Sequence, residues 1–143
     1  MKHLLILILL AVALAPVRAH ADAVSVHALM IEASNASGSP DRRLEQVESK
    51  LRRVFQFTHY RYVGEGRTQA PESGNATIAL PGGHRLEVTT LGRRGGRLLA
   101  DIRWMRSRDT LLTMRVNLSD RAPIVLGGVP EGSGTLIVVL SAE

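Results

Sequence analysis

The residues of this chain with types suited to acid–base or nucleophilic chemistry are few and widely spaced. His27, His59 and His84 form no H-x-x-x-H or H-x-H pair, and there is no cysteine. No single helix or strand face is therefore expected to offer two soft ligands to one metal ion, and a zinc site would need distant residues to converge. Serines are plentiful, but no Gly-x-Ser-x-Gly elbow occurs. The nearest resemblance, Gly132-Ser133-Gly134, reads as a turn. Glycan hydrolysis needs two acids facing one another in a cleft. Glu87 and Asp101 alternate with apolar residues, which places them on an outward sheet face, with Arg85 and Arg103 as expected cross-strand partners. The glycines of 127–134 lack the G-x-x-x-x-G-K-S/T order of a phosphate loop. The reading is of no catalytic residue, no metal and no cofactor.

Two clusters suit binding better than catalysis. Phe55, Phe57, Tyr60 and Tyr62 are four of the five aromatic residues, and Arg52, Arg53 and Arg61 flank them. Aromatics interleaved with arginine stack on sugar rings or bases. On a strand, Phe55 and Phe57 share one face with His59 and Arg61, and are expected in the core beneath a helix. Tyr60 and Tyr62 share the other face and are expected at its edge. The second cluster is an arginine face formed by Arg85, Arg93, Arg94, Arg97, Arg103, Arg106 and Arg108, suited to an anionic polymer or an acidic protein surface. The residues singled out for binding are Tyr60, Arg61, Tyr62, Arg85, Arg97 and Arg103.

The elements that must position these residues follow from periodicity. Residues 24–33 are apolar and β-branched and read as a first strand. Ser39-Pro40-Asp41 suits a helix start, with Ser39 as N-cap, Pro40 in the first turn and Asp41 at the positive end of the dipole. Leu44, Val47, Leu51 and Val54 then recur at helical spacing. After this helix the chain alternates between apolar runs and turns. Residues 55–63 read as a strand and 64–74 as a loop rich in Gly, Pro and Ser. Residues 76–80, 86–90, 98–104 and 112–118 alternate as strands, with Pro81-Gly82-Gly83 making a hairpin turn. Residues 123–126 form a short strand, 127–134 a glycine-rich connection, and 136–140 a wholly apolar strand that is expected to be covered on both faces. The fold class is α+β: about eight mostly antiparallel strands in two layers or one curved sheet, with one amphipathic helix after the first strand.

Residues 1–21 carry the three parts of a secretory signal. Lys2 and His3 precede twelve apolar residues, 4–15, and Ala19-His20-Ala21 follows Pro16. The apolar run is shorter than the roughly 20 residues a membrane span requires. A single domain, residues 22–143, is expected to be periplasmic or secreted, with no membrane span. Without cysteine it has no disulfide and must rely on its core. Of 18 Lys and Arg, Lys2 and Arg18 fall in the signal, leaving 16 against 13 Asp and Glu, a net charge of +3. So small an excess on an exported domain argues against nucleic acid as partner.

The chain resembles a set of small exported bacterial proteins of unassigned function. The resemblance rests on residues 26–33, the segment 41–62, Leu80-Pro81-Gly82-Gly83, and the ending Val125-Leu126-Gly127-Gly128 with Leu136-Ile137-Val138-Val139-Leu140. That ending is also similar to the closing strands of secretins, the outer-membrane pores of secretion systems, although the pore-forming core and ring domains of secretins have no counterpart here. The first resemblance implies no activity; the second implies an accessory place beside an envelope assembly. The expected function is non-enzymatic binding of an envelope protein or anionic glycan. The alternatives are an accessory subunit of an outer-membrane or secretion assembly and a small exported hydrolase.

Overall fold

The computed structural model describes residues 23–143. The signal-peptide reading of residues 1–21 falls outside these. Among the described residues, eight antiparallel strands form two four-stranded sheets, and one α-helix follows the first strand. The strands are β1 Val24–Ser34, β2 His59–Ala70, β3 Ser73–Ala79, β4 His84–Arg94, β5 Arg97–Arg106, β6 Asp109–Leu118, β7 Ile124–Glu131 and β8 Gly134–Ala142; the helix α1 is Glu45–Val54. The first sheet has the order β2-β1-β8-β7 and the second β3-β4-β5-β6. Each strand pairs with a sequence neighbour, and β8 returns to pair with β1. The layout is thus an up-and-down meander flattened into a sandwich, opened where the chain steps from β2 to β3 and from β6 to β7.

Period-2 alternation decides what each sheet buries. Val24, Val26, Ala28 and Met30 of β1 and Leu136, Val138 and Leu140 of β8 point inward from the first sheet. They meet Leu86 and Val88 of β4, Leu98, Ala100, Ile102 and Trp104 of β5, and Leu118 of β6. Each such large apolar side chain contributes about 1.5–3 kcal/mol on burial. The opposite face of the first sheet is apolar along one stretch, and this is where α1 packs. Ile31, Ala33, Ile137 and Val139 make a second core with Leu44, Leu51 and Tyr60, flanked by Val47, Phe55, Phe57 and Tyr62. β8 therefore buries both faces, as its unbroken apolar run requires.

The helix starts later than its sequence signals suggest. A 3-10 turn, Arg42–Leu44, precedes α1, and its N-cap is Asp41 rather than Ser39: the Asp41 carboxylate accepts from the Arg43 amide at 3.0 Å.

The strand boundaries in two glycine-rich stretches also differ from expectation. Residues 64–70 continue β2, and β3 begins at Ser73. The reason is a corner between sheets. A Cβ on Gly64 would collide with the Pro81 ring, and one on Gly66 with the Ala79 carbonyl oxygen. These glycines sit where β2 crosses close to the end of β3, and their missing side chains reflect that approach rather than a loop. Likewise 127–131 belongs to β7, whose pairing with β8 shifts register between Leu126 and Val129.

Candidate functional site

The side chains with chemistry gather on the outer face of the first sheet, beside α1. Asp41 fixes the start of the helix to β2. Its carboxylate is held by the Arg43 guanidinium at 2.8 and 2.9 Å and also accepts from the Tyr62 amide at 3.2 Å. The Arg43 hydrogen bonds, reinforced by the two backbone amides, hold Asp41 well below the ordinary carboxylate range. Toward the other end of α1, the Lys50 ammonium donates to the Pro123 carbonyl just ahead of β7. Between these two anchors the helix spans the sheet from the β2 side to the β7 side, and leaves part of the sheet face uncovered.

The uncovered part is a groove of about 480 Å³ lined by residues of β1, β2, β8 and the helix. His27 Nε2 lies 2.5 Å from Glu65 Oε2, and Arg67 lies 3.7 Å from Glu143. Arg43 sits over the Tyr62 ring at 4.3 Å from its centroid, a cation–π contact that occupies one aromatic face. Pro123 lines this groove and also a second recess of about 360 Å³ formed by Lys50, Val54, Arg97, Asn117, Ile124 and Val125, among others. The two depressions adjoin along the helix.

The six residues singled out for binding fall in several places. Tyr60 is in the core, 2% exposed, and its hydroxyl donates to the Phe55 carbonyl at 3.0 Å. The expected Tyr60/Tyr62 edge is corrected accordingly: Tyr60 is the more buried of the aromatics around the helix, because β2 begins only at His59 and Phe55 and Phe57 precede it as half-buried connectors. Arg61 is exposed and pairs with Glu32 at 3.0 Å. Tyr62 lines the groove. Arg97 lines the adjoining recess and has no ion-pair partner among the described residues. Arg85 and Arg103 belong to the outer face of the second sheet, where both approach Glu87, at 3.5 and 3.4 Å. Asp101 there pairs with Arg115 at 2.6 and 3.0 Å, not with Arg103; the register sets Asp101 directly opposite Arg115 and Glu87 opposite Arg103.

The three histidines do not converge. His27 is in the groove, the His59 ring lies against Gly38, and His84 is 4% exposed within the sandwich. The Trp104 indole donates to His84 Nδ1 at 3.0 Å, which requires the unprotonated nitrogen there. Burial lowers the His84 pKa; the charge of Glu131 opposes this and that of Arg106 adds to it. No group of three His, Asp or Glu side chains among the described residues is placed to hold a metal ion.

Arg43, Lys50, Glu65 and Arg67 were not singled out by sequence. Arg43 and Lys50 fall outside the apolar helical positions Leu44, Val47, Leu51 and Val54, and Glu65 and Arg67 fall in the stretch 64–74 that reads as loop. The available signal is the alternation of the small Gly64, Gly66, Thr68 and Ala70 with the long polar Glu65, Arg67 and Gln69. No described helix is long and apolar enough to cross a membrane. Comparison with protein-family models, curated proteins and solved structures finds no match to this chain.

Proposed function

We propose that this protein is an exported, non-enzymatic domain of the bacterial envelope that binds a protein or anionic-glycan partner along the helix-flanked face of its first sheet. One observation carries the reading: the groove beside α1 brings His27, Arg43, Tyr62, Glu65 and Arg67 from separate elements to one open surface. Donors and acceptors of both signs suit a polar partner with several contacts better than a single reacting atom. The sandwich interior, filled by apolar side chains, supports binding at the surface. Export rests on the signal pattern of residues 1–21.

The secretin-like ending is the β7–β8 hairpin, and β8 is the most enclosed strand of the first sheet, between β1 and β7. An accessory subunit docking through a bare Leu136–Leu140 edge therefore draws no support from this arrangement.

The test is a titration of the isotopically labelled exported chain with muropeptides, acidic cell-wall oligosaccharides and lipopolysaccharide core, followed by amide NMR. Shifts concentrated at His27, Tyr62 and Arg67, and lost in Arg67→Glu, support the reading. Turnover of any of these compounds in the same samples would overturn its non-enzymatic half. Shifts confined to the second sheet would overturn the choice of face.

A further inference from the structure

The recess next to the groove has a chemistry of its own. Val54 closes α1 and is 59% exposed, and only Leu91 among the described large hydrophobics is comparably bare. Val54 does not stand alone: Pro123, Ile124 and Val125 line the same recess, giving it an apolar floor. Lys50 and Arg97 stand at its margin, and no acidic side chain lines it. The acid of the neighbouring connection, Asp120, lines a different depression beside Arg93. Exposed Arg97 and half-buried Lys50 are the charged groups of the recess, and Asn117 and Ser119 are its uncharged polar ones, which leaves an uncompensated positive field beside an apolar floor.

We infer that this recess docks a short acidic segment of a partner protein, with an aliphatic side chain on the apolar floor and a neighbouring carboxylate on Arg97 and Lys50. The inference rests on the binding role proposed above and names a partner chemistry for it. Charge complementarity selects the acid, since arginine takes a carboxylate in bidentate fashion. The floor favours peptide over glycan: an aliphatic side chain covers Val54, Pro123, Ile124 and Val125 and leaves backbone amides to meet Asn117 and Ser119, whereas a sugar acid has no apolar side chain to set on that floor. At about 360 Å³ the recess is at the small end of ligand clefts, in keeping with an anchoring side chain rather than an enclosed metabolite.

The experiment is fluorescence anisotropy of the full exported chain with a fluorescein-labelled peptide of alternating glutamate and leucine, with the lysine–leucine peptide and polygalacturonate as alternatives. The acidic peptide binds, and its affinity falls as salt rises. Arg97→Glu weakens it by about tenfold. Arg97→Gln weakens it less, and Val54→Ser also lowers affinity. Arg115→Ala, which removes the pair with Asp101 on the second sheet, leaves this peptide's affinity unchanged. Circular dichroism of each variant confirms that the fold is retained. Equal affinity of wild type and both Arg97 variants overturns the inference. So does polygalacturonate binding that displaces the peptide and is indifferent to Val54→Ser, which would make the recess a plain polyanion site. Loss in Arg67→Glu alone would remove the recess while leaving the groove as the binding surface.

Discussion

The outer faces of the two sheets are both rich in charge, yet they use it differently. On the second sheet the charges sit directly opposite one another across strands. Glu87 lies between Arg85 of its own strand and Arg103 opposite it, and Asp101 holds Arg115, so the middle of this face satisfies itself. On the first sheet a helix covers the apolar stretch, and the charges collect in the depressions it leaves. There His27, Arg43 and Arg67 line one groove and pair with Glu65, Asp41 and Glu143 respectively, and Arg97, at the start of β5 in the second sheet, faces the adjoining recess with no acidic partner among the described residues. Counting arginines along the sequence ranks the second face first. Register changes that ranking: Arg85, Arg103 and Arg115 are matched to acids, and Arg97, at the start of β5, is the unmatched arginine that reaches the recess beside the helix.

The strongest way to break the comparison is to remove the core beneath each face. Trp104→Ala, between the sheets, is expected to cost about 3–5 kcal/mol, and Leu51→Ala, under the helix, about 2–5 kcal/mol. Denaturant unfolding gives the magnitudes and hydrogen exchange distinguishes them. Leu51→Ala should raise exchange in α1 while β4 and β5 stay protected; uniform loss of protection would mean that the helix and both sheets form one cooperative unit.

A second contrast is pH. Folded His84 keeps a depressed pKa, whereas the unfolded chain takes up its proton near the ordinary value of about 6.5. Stability is therefore full above that value and falls as pH drops through it, with protonation also breaking the Trp104 hydrogen bond. Tryptophan fluorescence, with Trp104 the only reporter, should follow this loss, and His84→Gln should flatten the slope between pH 6.5 and 5. Asp41 and Asp101 are also depressed, by hydrogen bonds from Arg43 and Arg115 respectively. Their contribution is present above the ordinary carboxylate range and is lost only as pH falls below about 4. A single transition at acid pH, with no earlier phase, would rule out the His84 contribution.

A smaller effect is expected from Asp41→Asn. It keeps an acceptor for the Tyr62 amide but removes the ion pair with Arg43, so the start of α1 should exchange faster while the sheets hold. The smallest is Arg115→Ala. An exposed cross-strand pair contributes little, and its melting temperature should be barely distinguishable from that of the parent; a marked drop would show that the second face is held together by its ion pairs after all.

Much of this fold is legible by eye. The alternation of Leu86-Glu87-Val88 and of Leu98 through Trp104 marks β4 and β5, and Leu44, Val47 and Leu51 mark the helix. Glycine hides the rest. Gly64 and Gly66 read as loop because the feature that requires them, a close crossing against Ala79 and Pro81, lies at the end of β3 and in the turn that follows it. Tyr60 reads as an edge residue because its burial depends on where β2 begins. Of the residues proposed for binding, Tyr62 and Arg97 end up beside the helix. Their neighbours Arg67, Lys50 and Pro123 come from parts of the chain that only the pairing of β1 with β2 and β8, and of β7 with β8, brings near.

By itself the sequence determined the α+β class, the single helix, the inward faces of most strands and the enclosed character of β8, because periodicity and apolar content act over a few residues and need no partner. Only the tertiary structure decided which arginines are neutralised, that His84 is buried against Trp104, and that a groove opens beside α1. Those are properties of register and of sheet-on-helix packing, set by contacts between segments far apart in the chain, on which local spacing carries no information.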